Sequence, residues 1–239
     1  MTETTPTVVL VHGAFADATS WSGVIAELQS HGIPVLAPPN PLRSLSADAA
    51  YVASVASQID GPVILVGHSY GGAIITVAGT AENVVGLVYV AAYVLEEGES
   101  LGELQDRFPA SPLGANLKQW TYPAADGTDA VEVSIAAGAF PSVFAADVAE
   151  DVTTVLAVAQ RPLAAAAFTE QASAAAWKTK PSWALIAAAD NAINPDVERF
   201  GAQRAGATVV EVEGASHAVA VSQPKTVAEL ILQAVRAAG

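Results

Sequence analysis

The five residues Gly67-His68-Ser69-Tyr70-Gly71 limit the fold of this chain more than any other stretch of its sequence. They follow the apolar, strand-like run 62–66 and precede 72–78, a run with the composition of a helix. Glycines two positions before and after the serine allow the close backbone approach that a sharp strand-to-helix turn needs. The pattern predicts a nucleophile elbow, in which the Ser69 hydroxyl stands at the positive end of the following helix.

Length and composition restrict the class of protein. A chain of 239 residues, 52% of them hydrophobic, can bury one substantial core and carry an insertion within one domain. The net charge of −14 repels phosphate backbones and anionic lipids, so we expect neither a nucleic acid nor a membrane as a partner. The absence of cysteine excludes disulfides and thiolate metal sites. No metal-ligand cluster and no glycine-rich dinucleotide loop stands out in the sequence, and we predict no cofactor.

The start of the chain bears on its location. The stretch from Met1 to Pro6 lacks the basic segment and the long apolar run of a secretory signal. The apolar run 8–11 is too short to span a bilayer. We therefore expect a cytoplasmic protein that acts on a small molecule. The sequence leaves the oligomeric state open, with a homodimer as one alternative.

Short apolar runs rich in β-branched residues alternate with segments of helical period. This alternation predicts an α/β fold with a mostly parallel six-stranded sheet and helices on both faces. The predicted strands are 7–12, 33–37, 62–67, 84–91, 182–189 and 208–212. The predicted helices are 19–31, 47–59, 70–81, 195–205 and 224–237. Ser46 is the expected cap of the second helix, Gly32 the expected end of the first, and Pro195 suits a first helical turn.

The alternation is interrupted, which predicts a core of residues 1–93 and 181–239 with a mainly helical cap over residues 94–180. Within the cap, 120–123 and 131–133 flank Asp126-Gly127 and predict a small hairpin. The runs 145–159 and 162–177 have the composition of helices. Open α/β sheets bind ligands beyond the carboxyl ends of their strands, so an insertion there would roof the site.

A serine hydroxyl needs a base to take its proton and a third group to hold that base in the right tautomer. Of the four histidines, His12 and His68 lie in the turns after two strands, and His31 ends a helix, where positive charge suits the dipole. His217 lies in a loop after the last predicted strand, at the same sheet edge as Ser69. His217 is the predicted base, and a surface loop histidine is the alternative.

Asp190 is the predicted third catalytic residue. It follows the apolar run 183–189 and precedes His217 in the chain, which gives the order serine, aspartate, histidine that is typical of α/β hydrolases. The competitor is Asp196. It follows Pro195 in a first helical turn, where an aspartate commonly serves the helix dipole.

Acyl transfer also needs donors for the oxyanion of the tetrahedral intermediate. The backbone N–H groups of Tyr70 and Ala14 are predicted to supply them, if the strand before Ala14 lies beside the elbow strand. Phe15 is predicted as a wall of the substrate pocket, with core packing as the alternative. The further aromatic candidates for this pocket are Trp21, Trp120 and Phe140.

The sequence resembles a capped serine esterase of the α/β-hydrolase superfamily and is similar to the plant methylesterase and hydroxynitrile lyase group. The resemblance covers nearly the whole chain and is carried by 8–14, 67–72, Asp190 and 214–217. It implies the α/β-hydrolase fold with a cap. Hydroxynitrile lyases of this fold typically carry a threonine in place of Gly13 and a lysine in place of Ala218, so the resemblance disfavours cyanohydrin cleavage.

Together these residues predict a carboxylesterase that cleaves small, fairly hydrophobic esters through an acyl-enzyme. One alternative is carbon–carbon bond hydrolysis or perhydrolysis by the same elbow. The other alternative, outside enzymes, is a receptor that binds a small ligand without turnover.

Overall fold

The computed structural model describes residues 5–124 and 126–239, and its main sheet has six strands. They are β1 (Thr7–Val11), β2 (Val35–Leu36), β3 (Val63–His68), β4 (Val84–Val90), β8 (Ser182–Ala187) and β9 (Thr208–Val212). All neighbours pair in parallel, in the order β2-β1-β3-β4-β8-β9. The predicted six-stranded sheet is confirmed.

Helices cover both faces of this sheet. They are α1 (Ser22–Ser30), α2 (Leu45–Ser57), α3 (Tyr70–Ala78), α7 (Pro195–Arg204), α8 (Val219–Ser222) and α9 (Pro224–Ala238). Successive strand residues point to opposite faces, so Val9 and Leu65 pack with α2, α3 and α7, whereas Leu10 and Val66 pack with α1, α8 and α9. Burial on both faces explains why the strands read as continuous apolar runs.

Several element ends differ from the prediction. β2 spans two residues instead of 33–37, because this edge strand pairs only with β1. The second helix is capped by Ser44, whose side chain accepts from the Ala47 N–H at 3.1 Å, and not by the predicted Ser46. The first helix opens with a 3₁₀ turn over 18–21 and ends at Ser30; Gly32, two residues further on, has a φ of 72°, which a glycine adopts without strain.

Between β4 and β8 the chain forms a second, antiparallel sheet and short helices. These are α4 (Leu101–Gln105), β5 (Leu117–Pro123), β6 (Asp129–Ile135), α5 (Phe140–Phe144), α6 (Glu150–Val158) and β7 (Leu163–Ala164). β5 and β6 form the predicted hairpin, with Trp120 opposite Glu132.

Two helix predictions in this segment need correction. The helix predicted over 162–177 is wrong: Leu163 pairs with Val133 as β7, and 3₁₀ turns occupy 165–168 and 176–178. The alanine-rich composition favours a helix locally, but the tertiary pairing with β6 overrides it. The helix predicted from Ala145 begins only at Glu150. The link before it is held by Asp147, which accepts a hydrogen bond from the Ser216 hydroxyl.

Backbone hydrogen bonds attach the 94–180 segment to loops at the carboxyl ends of the main strands. Phe15 N–H donates to Arg161 O at 3.0 Å, and Ala164 N–H donates to Leu42 O at 3.0 Å. Ala218 N–H donates to Phe144 O at 2.8 Å. The segment therefore lies over the edge of the sheet where the predicted site residues gather.

Across residues 5–124 and 126–239, none of the helices combines the length and the apolar character needed to cross a membrane. The expectation that the chain has no secretory signal rests on residues 1–6. Residues 1–4 of that stretch lie outside the described residues.

Candidate active site

Ser69 lies at the junction of β3 and α3, with φ 56° and ψ −123°. A positive φ is uncommon for a residue with a Cβ and costs on the order of 1–3 kcal/mol, so the surrounding structure must hold it. Gly67 allows the turn to close, because a Cβ at that position would lie 2.4 Å from Gly71 O. The predicted strand-to-helix turn is present, with the serine in the backbone conformation that the elbow pattern implies.

The loop after β1 packs directly against this turn. β1 and β3 are neighbours in the sheet, with Val11 opposite Gly67. A Cβ at Gly13 would lie 2.6 Å from Ser69 Cβ and 2.8 Å from His68 O. Only glycine at position 13 therefore permits the observed contact between the loop and the serine.

His217 and Asp190 meet at the same edge of the sheet. His217 Nδ1 lies 2.5 Å from Asp190 Oδ2, and both residues are buried. Asp190 Oδ1 accepts from the backbone N–H groups of Ala192 at 2.6 Å and Ile193 at 2.9 Å. These donors fix the carboxylate, which in turn orients the imidazole with its proton on Nδ1 and leaves Nε2 as an acceptor.

The competing aspartate lies elsewhere. Asp196 is exposed at the start of α7 and forms an ion pair with Arg199 at 2.7 Å. It makes no contact with His217 among the described residues. Of the two candidates, the structure brings Asp190 to the histidine.

A second buried histidine supports the His217 loop from below. His68 Nε2–H donates to His217 O at 2.8 Å, and the two ring centroids lie 4.7 Å apart. Burial, with the nearby His217, holds the pKa of His68 well below its ordinary value. His68 is therefore neutral and has a structural role in the elbow, as the sequence indicates.

His12 has a similar role in the loop after β1. Its Nε2 accepts from Asn40 N–H at 2.9 Å, and Asn40 Nδ2 donates back to His12 O at 3.2 Å. Burial lowers the pKa of His12. These contacts hold the loop that carries Gly13 against the elbow.

Two backbone N–H groups beside Ser69 have no backbone acceptor. Tyr70 is the first residue of α3, so its N–H has no partner within the helix. Among the backbone hydrogen bonds of the described residues, none uses Ala14 N–H, whereas Phe15 N–H is taken by Arg161 O. Of the two residues after Gly13, only Ala14 therefore has a free N–H.

The Tyr70 side chain anchors the start of α3. Its hydroxyl donates to Asp48 Oδ2 at 2.9 Å in the core between α2 and α3. Burial and the nearby Asp48 raise the pKa of Tyr70, and burial raises the pKa of Asp48. This buried pair fixes the helix end that presents the Tyr70 N–H.

Ser69 and His217 line the same cavity. Its other lining residues share an uncharged character; they are Ala14, Phe15, Tyr70, Tyr93, Leu101, Leu113, Leu163, Phe168, Ala192 and Ile193. The hydrogen bonds of the described residues include none between Ser69 Oγ and His217. The two side chains nevertheless line the same largely apolar cavity.

The four aromatic residues predicted as candidates for the pocket lie in different parts of the structure. Phe15 lines the cavity with Ser69 and also a neighbouring cavity, which Phe140 and Phe144 share. Trp21 is buried in the core on the α1 side of the sheet, and Trp120 lies half exposed on the hairpin.

Glu198, a buried carboxyl on α7 close to Asp190, is not among the residues predicted from the sequence. In the first turn of a helix, an acidic residue is ordinarily attributed to the helix dipole. One signal in the sequence could have indicated that Glu198 is buried. It lies three and four residues before Gly201 and Ala202, which are buried on the same face of α7. Among the described residues, no group of three or more His, Asp or Glu side chains is placed to hold a metal ion.

Comparisons with known proteins agree with this architecture. Polyneuridine aldehyde esterase has a similar crystal structure, with a TM-score of 0.83 over 97% of this chain and 99% of that chain, at 20% identity. A pyrethroid hydrolase from Sphingobium faniae JZ-2 gives 0.77 over 98% of each chain at 21% identity. The methylesterase MES16 from Arabidopsis gives 0.77 over 97% and 99% at 19% identity. At these identities the likeness is one of fold.

The structural likeness confirms the resemblance to the methylesterase group at the level of the fold. Among curated proteins, no sequence matches the chain. Residues 8–230 match the model of the alpha/beta hydrolase family, which is most of the chain. This protein therefore belongs to the alpha/beta hydrolase family.

Proposed function

We propose that the protein is a carboxylesterase with Ser69 as nucleophile, His217 as base and Asp190 as the residue that orients the base. One observation carries the proposal: His217, held on Nδ1 by Asp190, faces the same cavity as a serine with positive φ. The similar structures named an esterase, a pyrethroid hydrolase and a methylesterase support it.

The reaction would begin when an ester carbonyl enters between Ser69 and His217. His217 Nε2 takes the hydroxyl proton as Ser69 Oγ attacks the carbonyl carbon, and Asp190 stabilises the resulting imidazolium. The Ala14 and Tyr70 N–H groups donate to the oxyanion, which forms only in the transition state and intermediate. His217 then protonates the leaving alcohol. Water repeats the cycle on the acyl-enzyme, and no cofactor is needed.

The cavity supports a small, apolar, uncharged ester as the substrate. The lining side chains are all hydrocarbon, with four exceptions: Ser69, Tyr70, Tyr93 and His217. A charged acyl group would therefore lose its hydration without gaining an oppositely charged partner. Leu101, Leu113, Leu163 and Phe168 come from the 94–180 segment. We propose that this segment acts as a cap that closes over the substrate and sets its size.

Labelling by a fluorophosphonate tests the nucleophile. Mass spectrometry of the intact and digested protein should show one adduct, on Ser69. The Ser69→Ala variant should show none, whereas Ser57→Ala, which changes an exposed helical serine, should be labelled like the parent protein. An adduct elsewhere, or none on the parent protein, would overturn the assignment.

A substrate panel separates the proposed reaction from its alternatives. Simple aryl and alkyl esters should be hydrolysed, while diketones test carbon–carbon bond hydrolysis and peroxide with a carboxylic acid tests perhydrolysis. Binding of a small ligand without turnover of any ester would support a receptor and contradict the proposal.

A further inference from the structure

Glu198 is a buried carboxyl with an incomplete set of hydrogen bonds. It lies on α7 and is 3% exposed. Its Oε2 accepts from the Ala187 N–H at 3.1 Å, whereas Oε1 is buried without a hydrogen-bond donor among the described residues. An ionised carboxylate with one bare oxygen in such a place is strongly disfavoured, whereas a protonated carboxyl can use that oxygen as a donor.

Within residues 5–124 and 126–239, Glu198 forms no ion pair. The adjacent Arg199 turns outward and pairs with Asp196 and Glu211. The other titratable neighbours are Asp190 and Tyr93, and neither can supply a positive charge. A charge on Glu198 would therefore be a second negative charge in the same buried place as Asp190.

The acceptor that Glu198 needs is the Asp190 carboxyl. Both residues are tied to Ala187 at the end of β8, because Ala187 N–H donates to the Glu198 carboxyl and Ala187 O accepts from the Asp190 backbone N–H at 3.1 Å. The two side chains are within hydrogen-bonding reach of each other. Burial, followed by the adjacent Asp190, raises the pKa of Glu198 well above its ordinary value.

We propose that Glu198 is a neutral carboxylic acid that keeps its proton and donates a hydrogen bond to the Asp190 carboxylate, and so acts as a positioning residue for His217. The effect on catalysis rests on the proposed esterase function. Asp190 then accepts from four donors: two backbone N–H groups, the His217 ring and Glu198. The donor from Glu198 draws charge away from Asp190, so that the imidazolium is held firmly enough to form but still releases its proton to the leaving alcohol.

The resting protein offers a test that does not depend on activity. With glutamate labelled with carbon-13 at its side-chain carboxyl, one NMR signal should report a protonated acid at neutral pH. Glu198→Gln should remove that signal, and Glu229→Gln, an exposed glutamate on α9, should leave it. If every glutamate is ionised at neutral pH, the proposal is wrong. If the signal is present but no ester is turned over, the proposed function fails while the proton on Glu198 stands.

The pH profile of kcat/KM tests the effect on His217. Glutamine can still donate to Asp190 and accept from Ala187, so Glu198→Gln should keep the acidic limb at its original pH. Glu198→Leu removes the donor, leaves Asp190 more negative, and should move the limb to higher pH by about one pH unit. An ionised Glu198 would instead make both variants move the limb to lower pH. A merely structural role would lower kcat or Tm in the leucine variant without moving the limb. Either result would overturn the proposal.

Discussion

The main sheet and the 94–180 segment contribute different chemistry to the same cavity. Loops at the carboxyl ends of the main strands supply Ser69, His217, Ala14 and Tyr70, the groups able to exchange a proton or donate to an oxyanion. The segment supplies only apolar side chains. The strands β1, β3, β4 and β8 are almost entirely buried, whereas α6 leaves Val158 79% exposed. Under the proposed function, the main sheet therefore positions the reacting groups, while the segment over its edge shapes the space for the substrate.

The largest effect should come from the serine itself. Ser69→Ala removes the attacking oxygen and should lower kcat by on the order of 10⁶, as in an unrelated serine hydrolase whose nucleophile was removed. Ester hydrolysis under saturating substrate measures it, with Ser57→Ala as the exposed control. Substantial residual turnover would mean that the sheet edge does not carry the chemistry.

The next effect should come from Gly13, which brings the β1 loop against the elbow. The Cβ of Gly13→Ala would meet Ser69 Cβ at 2.6 Å, so the loop carrying Ala14 N–H must shift. Loss of one oxyanion donor typically lowers kcat by about 10²–10³, and we expect a loss of this size. Gly138→Ala is the matched control, because a Cβ there meets nothing within 4 Å. Circular dichroism should show the fold unchanged, and full activity in the Gly13 variant would refute the packing argument.

The same contrast between regions explains what the sequence could predict. The main strands are recognisable because burial on both faces demands continuous apolar runs, and the elbow because a tight turn demands glycine. The run 162–177 is wrongly predicted as a helix because alanine is compatible with several structures. The long-range pairing of Leu163 with Val133 determines that the run begins with a strand. Glu198 is not recognisable from the sequence, because its proposed role depends on its proximity to Asp190. Only the folded chain creates that proximity.

A smaller effect should follow from a change in the segment's contribution to the cavity. Leu113→Ala removes three carbons from the wall and should favour longer acyl chains, changing the ratio of kcat/KM for a longer over a shorter ester by about tenfold. The ratio is independent of the fraction of folded enzyme. Val155→Ala, at an exposed position of α6, should leave it unchanged. An unaltered ratio in the Leu113 variant would mean that the segment does not set acyl size.

The smallest effect concerns stability and the buried neutral His68. Because its pKa is well below the ordinary 6.5, the unfolded chain binds a proton below about pH 6.5 that the folded chain does not. The contribution of His68 to the free energy of unfolding is therefore complete above that pH. Below it, this contribution decreases by about 1.4 kcal/mol per pH unit. In His68→Gln the amide can still donate to His217 O but cannot titrate, so its free energy of unfolding should decrease less steeply between pH 6.5 and 5.

Urea unfolding at several pH values measures this difference, with His31→Gln as the exposed control that should keep the parent slope. His12 contributes equally to both proteins, so the difference in slope belongs to His68. Identical slopes in the parent and the His68 variant would show that the elbow histidine is charged in the folded protein. The ring that donates to His217 O would then be a cation next to the proposed base, and the assignment of His68 as a neutral structural support would have to be abandoned.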